Sequence, residues 1–205
     1  SDCEGGAGPA AVTPLEAHLR ELDRLLQRLR PSRAAVGEAM VFCIDNGAQH
    51  AALLAGRLVR ALEEPDLRTD PAVARLFLVS DVLHNANSGA RGAARYRTCF
   101  QELLPDAFER LGRRWLQRLR RGRPEEERAS AAVRAVLGAW FEWAVFPPLF
   151  VRGLEALAFE GVRSGDAAAD ARRHGGRGRD ESDSSSSEEE PGAQLRRRLA
   201  RWRPD

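Results

Sequence analysis

Apolar positions along this chain recur at three- and four-residue intervals and hardly ever alternate, a pattern that predicts helices and essentially no strands. Thr13-Pro14-Leu15-Glu16 reads as a capping box, and Leu15, Leu19, Leu22, Leu25, Leu26 and Leu29 follow at helical spacing. Pro31-Ser32 stops this first helix, and Ser32 can cap a second carrying Val36, Met40, Phe42, Cys43 and Ile44. Asn46-Gly47 closes the second, and a third runs from about Gln49 to Leu62. Asp70-Pro71 opens a fourth, with Val73, Leu76, Phe77, Leu78, Val79, Val82 and Leu83 apolar nearly all round, so it should sit centrally; Asn87-Ser88-Gly89 ends it. Pro105 separates two further helices, about 91–103 and 106–120. A seventh starts at Pro124 with Glu125, Glu126 and Glu127 in its first turn and reaches Phe146, where Pro147-Pro148 breaks it. An eighth carries Leu149 to Phe159. Eight helices on short loops predict an all-α domain, a right-handed superhelix or bundle.

Composition sets the bounds. The chain has 205 residues, 43% of them hydrophobic, enough for one domain with a core. Residues 1–12 are small and Gly/Ala-rich and are expected to be disordered; 13–162 form the folded domain. Residues 163–205 read as a disordered tail, first acidic and serine-rich, then Arg-rich. No apolar run approaches the roughly 18 residues of a membrane span, and no secretory signal opens the chain. Ser at position 1 is expected if the start is processed or the chain is cut from a longer protein. Thirty-two basic residues, all Arg, stand against thirty acidic ones, and a net charge of +2 does not by itself call for nucleic acid. Cys3, Cys43 and Cys99 are odd in number and scattered, which argues for a reduced, intracellular setting without disulfides or zinc.

Catalytic signals are missing. His18, His50, His84 and His174 form no metal-ligand spacing, and no strand precedes a glycine-rich phosphate loop. The expectation is a binding protein with no cofactor and no enzymatic activity. The informative positions lie in the fourth helix, where Asp81, His84 and Asn85 share one face of an otherwise apolar segment. Asp is a poor helix-interior residue because its side chain competes for the backbone. Two readings are open: Asp81 bonds a neighbouring helix terminus while Asn85 helps end its own helix, or the three line the floor of a peptide groove. A second cluster, Arg110, Arg113, Arg114, Arg118, Arg120, Arg121 and Arg123 around Trp115, is either an RNA-binding face or a solvated one, with Leu111, Trp115 and Leu119 as its buried stripe. Ser182 and Ser184 to Ser187, followed by Glu188 to Glu190, suit an acid-directed kinase or a plain solvating linker.

Three blocks carry a resemblance. Gly37 to Asn46 (GEAMVFCIDN), Ala74 to Asn85 (ARLFLVSDVLHN) and Ala139 to Pro147 (AWFEWAVFP) are similar to the CTD-interacting, or RPR, domain, in particular the copies in SURP-motif, serine/arginine-related splicing proteins. The likeness runs from about Leu15 to Phe159; between the blocks only the apolar pattern matches. It implies an eight-helix right-handed superhelix that binds the phosphorylated heptad-repeat tail of the largest RNA polymerase II subunit, between the second, fourth and seventh helices. The implied partners are that tail and spliceosomal proteins, with RNA through Arg110–Arg123 a further option, and the implied location is the nucleus. Asp81 matches the polar position that hydrogen-bonds the peptide, with Val82, His84 and Asn85 on the same groove. Ser80-Asp81-Val82 resembles the family's Asn-Asp-Val variant where many members read Asp-Ser-Ile. Arg134 stands one residue from the phosphate-contacting arginine of several relatives, and Arg91 and Arg95 are further phosphate candidates at the groove edge. The alternative is a spliceosomal helical scaffold or RNA-binding protein whose groove binds no peptide.

Overall fold

The structure, a computed structural model, describes residues 13–64, 67–86, 92–119 and 124–159, without the side chains of 115–119. Among the described residues the chain is all-helical, with six helices and no strand. They are α1 (Pro14–Arg28), α2 (Arg33–Leu62), α3 (Thr69–Asn85), α4 (Arg95–Leu119), α5 (Pro124–Glu142) and α6 (Pro148–Phe159). The flanking segments 1–12 and 160–205 lie outside the described residues.

The helix starts follow from local chemistry. Thr13 Oγ1 accepts from the Glu16 amide at 3.3 Å while Glu16 Oε2 accepts from the Thr13 amide at 2.9 Å, a reciprocal capping box at α1. Ser32 Oγ accepts from the Ala35 amide at the head of α2. α3 begins two residues before the expected start: Arg68, not Asp70, is its N-cap and makes no side-chain cap bond, and Asp70 sits in the first turn.

Two expected breaks are absent, which reduces eight helices to six. At Asn46-Gly47 the helix continues: Asn46 Nδ2 donates back to the Phe42 carbonyl at 2.8 Å, and Gly47 is buried against the Tyr96 ring. A Cβ at Gly47 would stand 2.8 Å from Tyr96 Cε2, so glycine there permits α4 to approach rather than ending α2. Tyr96 Oη completes the contact by donating to the Cys43 carbonyl at 2.7 Å. Pro105 lies inside α4, flanked by Leu104 and Phe108, which are fully buried. Tertiary packing there outweighs the hydrogen bond that proline removes.

α3 packs against both α2 and α5, α4 against α2 and α6, and α1 against α2. A run of aromatic contacts joins α4, α5 and α6: Phe108 to Trp140 at 6.0 Å between centroids, Trp140 to Phe146 at 5.7 Å and Phe146 to Phe150 at 4.9 Å. α3 has neighbours on several sides, α2, α5 and α4, as its apolar pattern predicts, with one strip left facing outward.

α5 ends at Glu142, short of the expected Phe146. The Ala144 amide donates to the Phe141 carbonyl at 3.2 Å and the Val145 amide to the Trp140 carbonyl at 3.0 Å, the paired bonds of a Schellman cap. The left-handed position of that cap is Ala144, with φ of 50°. The turn sends Val145 and Phe146 into the core and leaves Trp143 at the surface.

Candidate functional site

The outward strip of α3 carries Asp81, His84 and Asn85. Asp81 is half-buried, and no hydrogen bond reaches its carboxylate among the described residues. Burial pushes the carboxyl above its ordinary value, and the positive charges of His84 and Arg33 only partly oppose this. The reading in which Asp81 caps a neighbouring helix is therefore not realised among the described residues. Asn85 does serve its own helix, donating from Nδ2 to the Asp81 carbonyl at 2.8 Å. That bond uses the amide nitrogen and leaves the side-chain oxygen as an acceptor.

His84 is exposed and rests against Trp143 from the end of α5, with ring centroids 4.4 Å apart and planes tilted by 53°. Trp143 remains 46% exposed. A half-exposed indole against His84, which shares a helix face with the half-buried carboxylate of Asp81, offers an apolar surface and a hydrogen-bond acceptor on one side of α3, which suits a polypeptide with proline or aromatic side chains and donor groups. Below this surface Trp140 Nε1 donates to Ser80 Oγ at 3.1 Å, fixing α5 on α3.

Two of the sequence-derived site residues fall elsewhere. Val82 is 0% exposed and belongs to the core, because one residue along a helix rotates the side chain by about 100° from the Asp81 direction. It lines no groove. Arg134 is turned to α6: its Nη1 pairs with Glu155 Oε1 at 2.6 Å, and its guanidinium carbon lies 4.0 Å from the centre of the Phe159 ring. The structure does not bring Arg134 to Asp81. Arg95 is exposed at the first turn of α4, and Arg91 lies outside the described residues. The residues that sequence reasoning missed are Arg33, in the first turn of α2, and Trp143. The second Trp of the AWFEWAVFP block was the available signal for Trp143; nothing local marked Arg33.

The arginine cluster on α4 is engaged with protein groups. Arg110 pairs with Glu63 at 2.5 Å and Arg113 with Glu109. Arg114 donates to the Glu64 and Glu63 carbonyls at 2.5 and 2.8 Å, satisfying the end of α2. Leu111 is buried as expected; the side chains of Trp115 to Leu119, and Arg120, Arg121 and Arg123, lie outside the described residues.

Other reactive groups are few. His18 and His50 face one another across α1 and α2 with ring centroids 5.3 Å apart. Among the described residues no group of three or more His, Cys, Asp or Glu is placed to hold a metal. Cys43 and Cys99 are free thiols; burial pushes Cys43 up to about 12, so it is a poor nucleophile. No helix among the described residues is long and apolar enough to cross a membrane.

No family model matches the chain. By sequence it is similar to Protein RRC1-like of Arabidopsis thaliana, with 33% identity over 147 residues, 72% of this chain and 15% of the relative. It is likewise similar to Protein RRC1 of the same organism, 34% identical over 145 residues, 71% of this chain and 15% of the relative. The chain thus spans about 15% of the length of the curated relatives it matches.

Proposed function

We propose that this chain is a non-catalytic binding module for the phosphorylated heptad-repeat tail of RNA polymerase II, acting in the nucleus to couple transcription to pre-mRNA splicing or processing. The reading takes its partner, its nuclear setting and the right-handed superhelical form from the resemblance to CTD-interacting domains. The similarity to the two RRC1 proteins over most of the helical region agrees with a module of a larger protein.

One observation carries the site: Asp81 is a half-buried carboxylate in the middle of a helix with no hydrogen-bond partner among the described residues. Such a group is costly unless something accepts or supplies its missing bonds. A peptide hydroxyl or backbone N–H would satisfy it, with Trp143 and His84 beneath the neighbouring side chains. Arg33 and Arg95 replace Arg134 as the arginines available to a phosphate, which a guanidinium holds through paired N–H donors.

The test is a titration of the chain with heptad peptides that are unphosphorylated or phosphorylated at different serines. Preferential binding of one phosphorylated form supports the reading. Absence of binding to every phosphorylated form at millimolar concentration rejects it and leaves the helical scaffold of a splicing assembly as the better account.

A further inference from the structure

A second concave surface lies at the opposite end of α3 from Asp81. It is a cleft of about 410 Å³ where the end of α1, the end of α2 and the start of α3 converge. Leu26, Leu67 and Pro71 give it an apolar floor. Arg75 and Arg68 contribute the donors, while Gln27 and Glu64 contribute acceptors.

Arg75 is what makes this more than a surface dent. It is a buried arginine, only 6% exposed, whose Nη1 donates to the Ala61 carbonyl at 2.5 Å and to Glu64 Oε2 at 2.7 Å. Its Nε is buried with no partner, and no hydrogen bond among the described residues uses Nη2. Arg68, exposed at the N-cap of α3, pairs with no carboxylate among the described residues. Among the described residues, the fixed charges lining the cleft are therefore two guanidinium groups and one carboxylate, with donor capacity left over.

We propose that this cleft is a second peptide-binding site, taking an acidic segment that carries an apolar side chain beside its carboxylate. Arg75 and Arg68 hold the carboxylate, the floor of Leu26, Leu67 and Pro71 takes the apolar side chain, and Glu64 and Gln27 accept from the peptide's backbone N–H groups. A nucleic acid fits poorly: among the described residues no aromatic ring lines the cleft for base stacking, and Glu64 opposes a phosphodiester. The site is separate from the Asp81 surface, so the two stand or fall independently.

The experiment titrates the isotopically labelled full chain with acetyl-Glu-Glu-Leu-Glu-Glu-amide, following amide shifts, with the Gln-substituted peptide and a uridine octamer as comparisons. Arg75 supports the fold, so the variants are Arg68→Glu and Glu64→Gln, with Arg97→Glu on α4 as a control of equal charge change. The expected result is saturable shifts at Leu26, Gln27, Leu67, Arg68 and Arg75, and weak or no binding of the Gln peptide. Arg68→Glu should weaken the complex by about tenfold or more, Glu64→Gln should tighten it, and Arg97→Glu should leave it unchanged. Shifts centred on Asp81 or on Arg113 would overturn the proposal. So would an Arg68→Glu variant that stays folded and binds as tightly as the wild type, or a uridine octamer that binds the same residues better than the peptide does.

Discussion

The Trp140 indole donates a 3.1 Å hydrogen bond to the hydroxyl of Ser80, so that α5 is pinned to α3 one residue from the half-buried carboxylate of Asp81. Both partners are buried, so the indole N–H has no water to turn to if the hydroxyl is lost. Ser80→Ala should cost about 1–3 kcal/mol, the penalty for leaving a buried donor unsatisfied. For a chain of this size that lowers the melting temperature by roughly 2–4 °C per kcal/mol. An unchanged melting temperature would mean that the bond adds nothing to stability.

Glycine and alanine exchange should change stability in opposite directions at three sites. Gly47→Ala places a methyl against the buried Tyr96 ring, and Gly112→Ala drives one into the backbone carbonyls of Leu157 and Ala158 on α6. Alanine is better than glycine in a helix interior by about 1 kcal/mol, yet both variants should melt below the wild type because the neighbour cannot move aside. Gly112→Ala should be the worse, since backbone yields less than a ring. Ala144→Gly relieves a left-handed alanine and should gain up to about 1 kcal/mol. Thermal melts of the three variants check the order.

Asp81 should show the signature of a residue kept against stability. Burial raises its pKa, so the folded chain holds the proton more firmly than the unfolded chain does. Its contribution favours the fold below its ordinary pKa and is lost as pH rises through the raised value. Asp81→Asn should therefore match the wild type in stability at about pH 3, below the ordinary pKa, and exceed it at pH 7. Urea denaturation at the two pH values measures the difference. A variant less stable at pH 7 would mean that Asp81 is a structural residue.

Much of the fold was legible because its signals are local. Thr13 with Glu16, Ser32, and the all-round apolar pattern of α3 each act within a few residues of their cause. The two false breaks depended on distant partners: Gly47 answers to Tyr96, far along the chain, and Pro105 to the aromatic packing around Phe108. The site was legible to the extent that one helix carried it, so Asp81, His84 and Asn85 came out together. Val82 faces the core because motif adjacency says nothing of helix rotation, and the pairing of Arg134 with Glu155 and Phe159 was not legible because they come from another helix.

The arginines separate by their partners. Arg134→Ala removes an exposed ion pair and a cation–π contact, so it should cost at most about 2 kcal/mol of stability and leave the preference for phosphorylated peptide intact. Arg33→Ala, next to the Asp81 surface, should reduce that preference without lowering the melting temperature. The ratio of dissociation constants for phosphorylated and plain peptide in each variant decides it; a lost preference in Arg134→Ala alone would reverse the assignment.

The central claim is that Asp81 hydrogen-bonds a heptad-tail peptide. Its most direct measurement is a fluorescence-anisotropy titration of wild type and Asp81→Ala with a labelled two-repeat phosphorylated heptad peptide, alongside circular dichroism of both proteins. Loss of one partner of a half-buried hydrogen bond, about 1–3 kcal/mol, predicts binding weaker by roughly 5- to 150-fold with helicity unchanged. Equal dissociation constants for two equally folded proteins would contradict the claim.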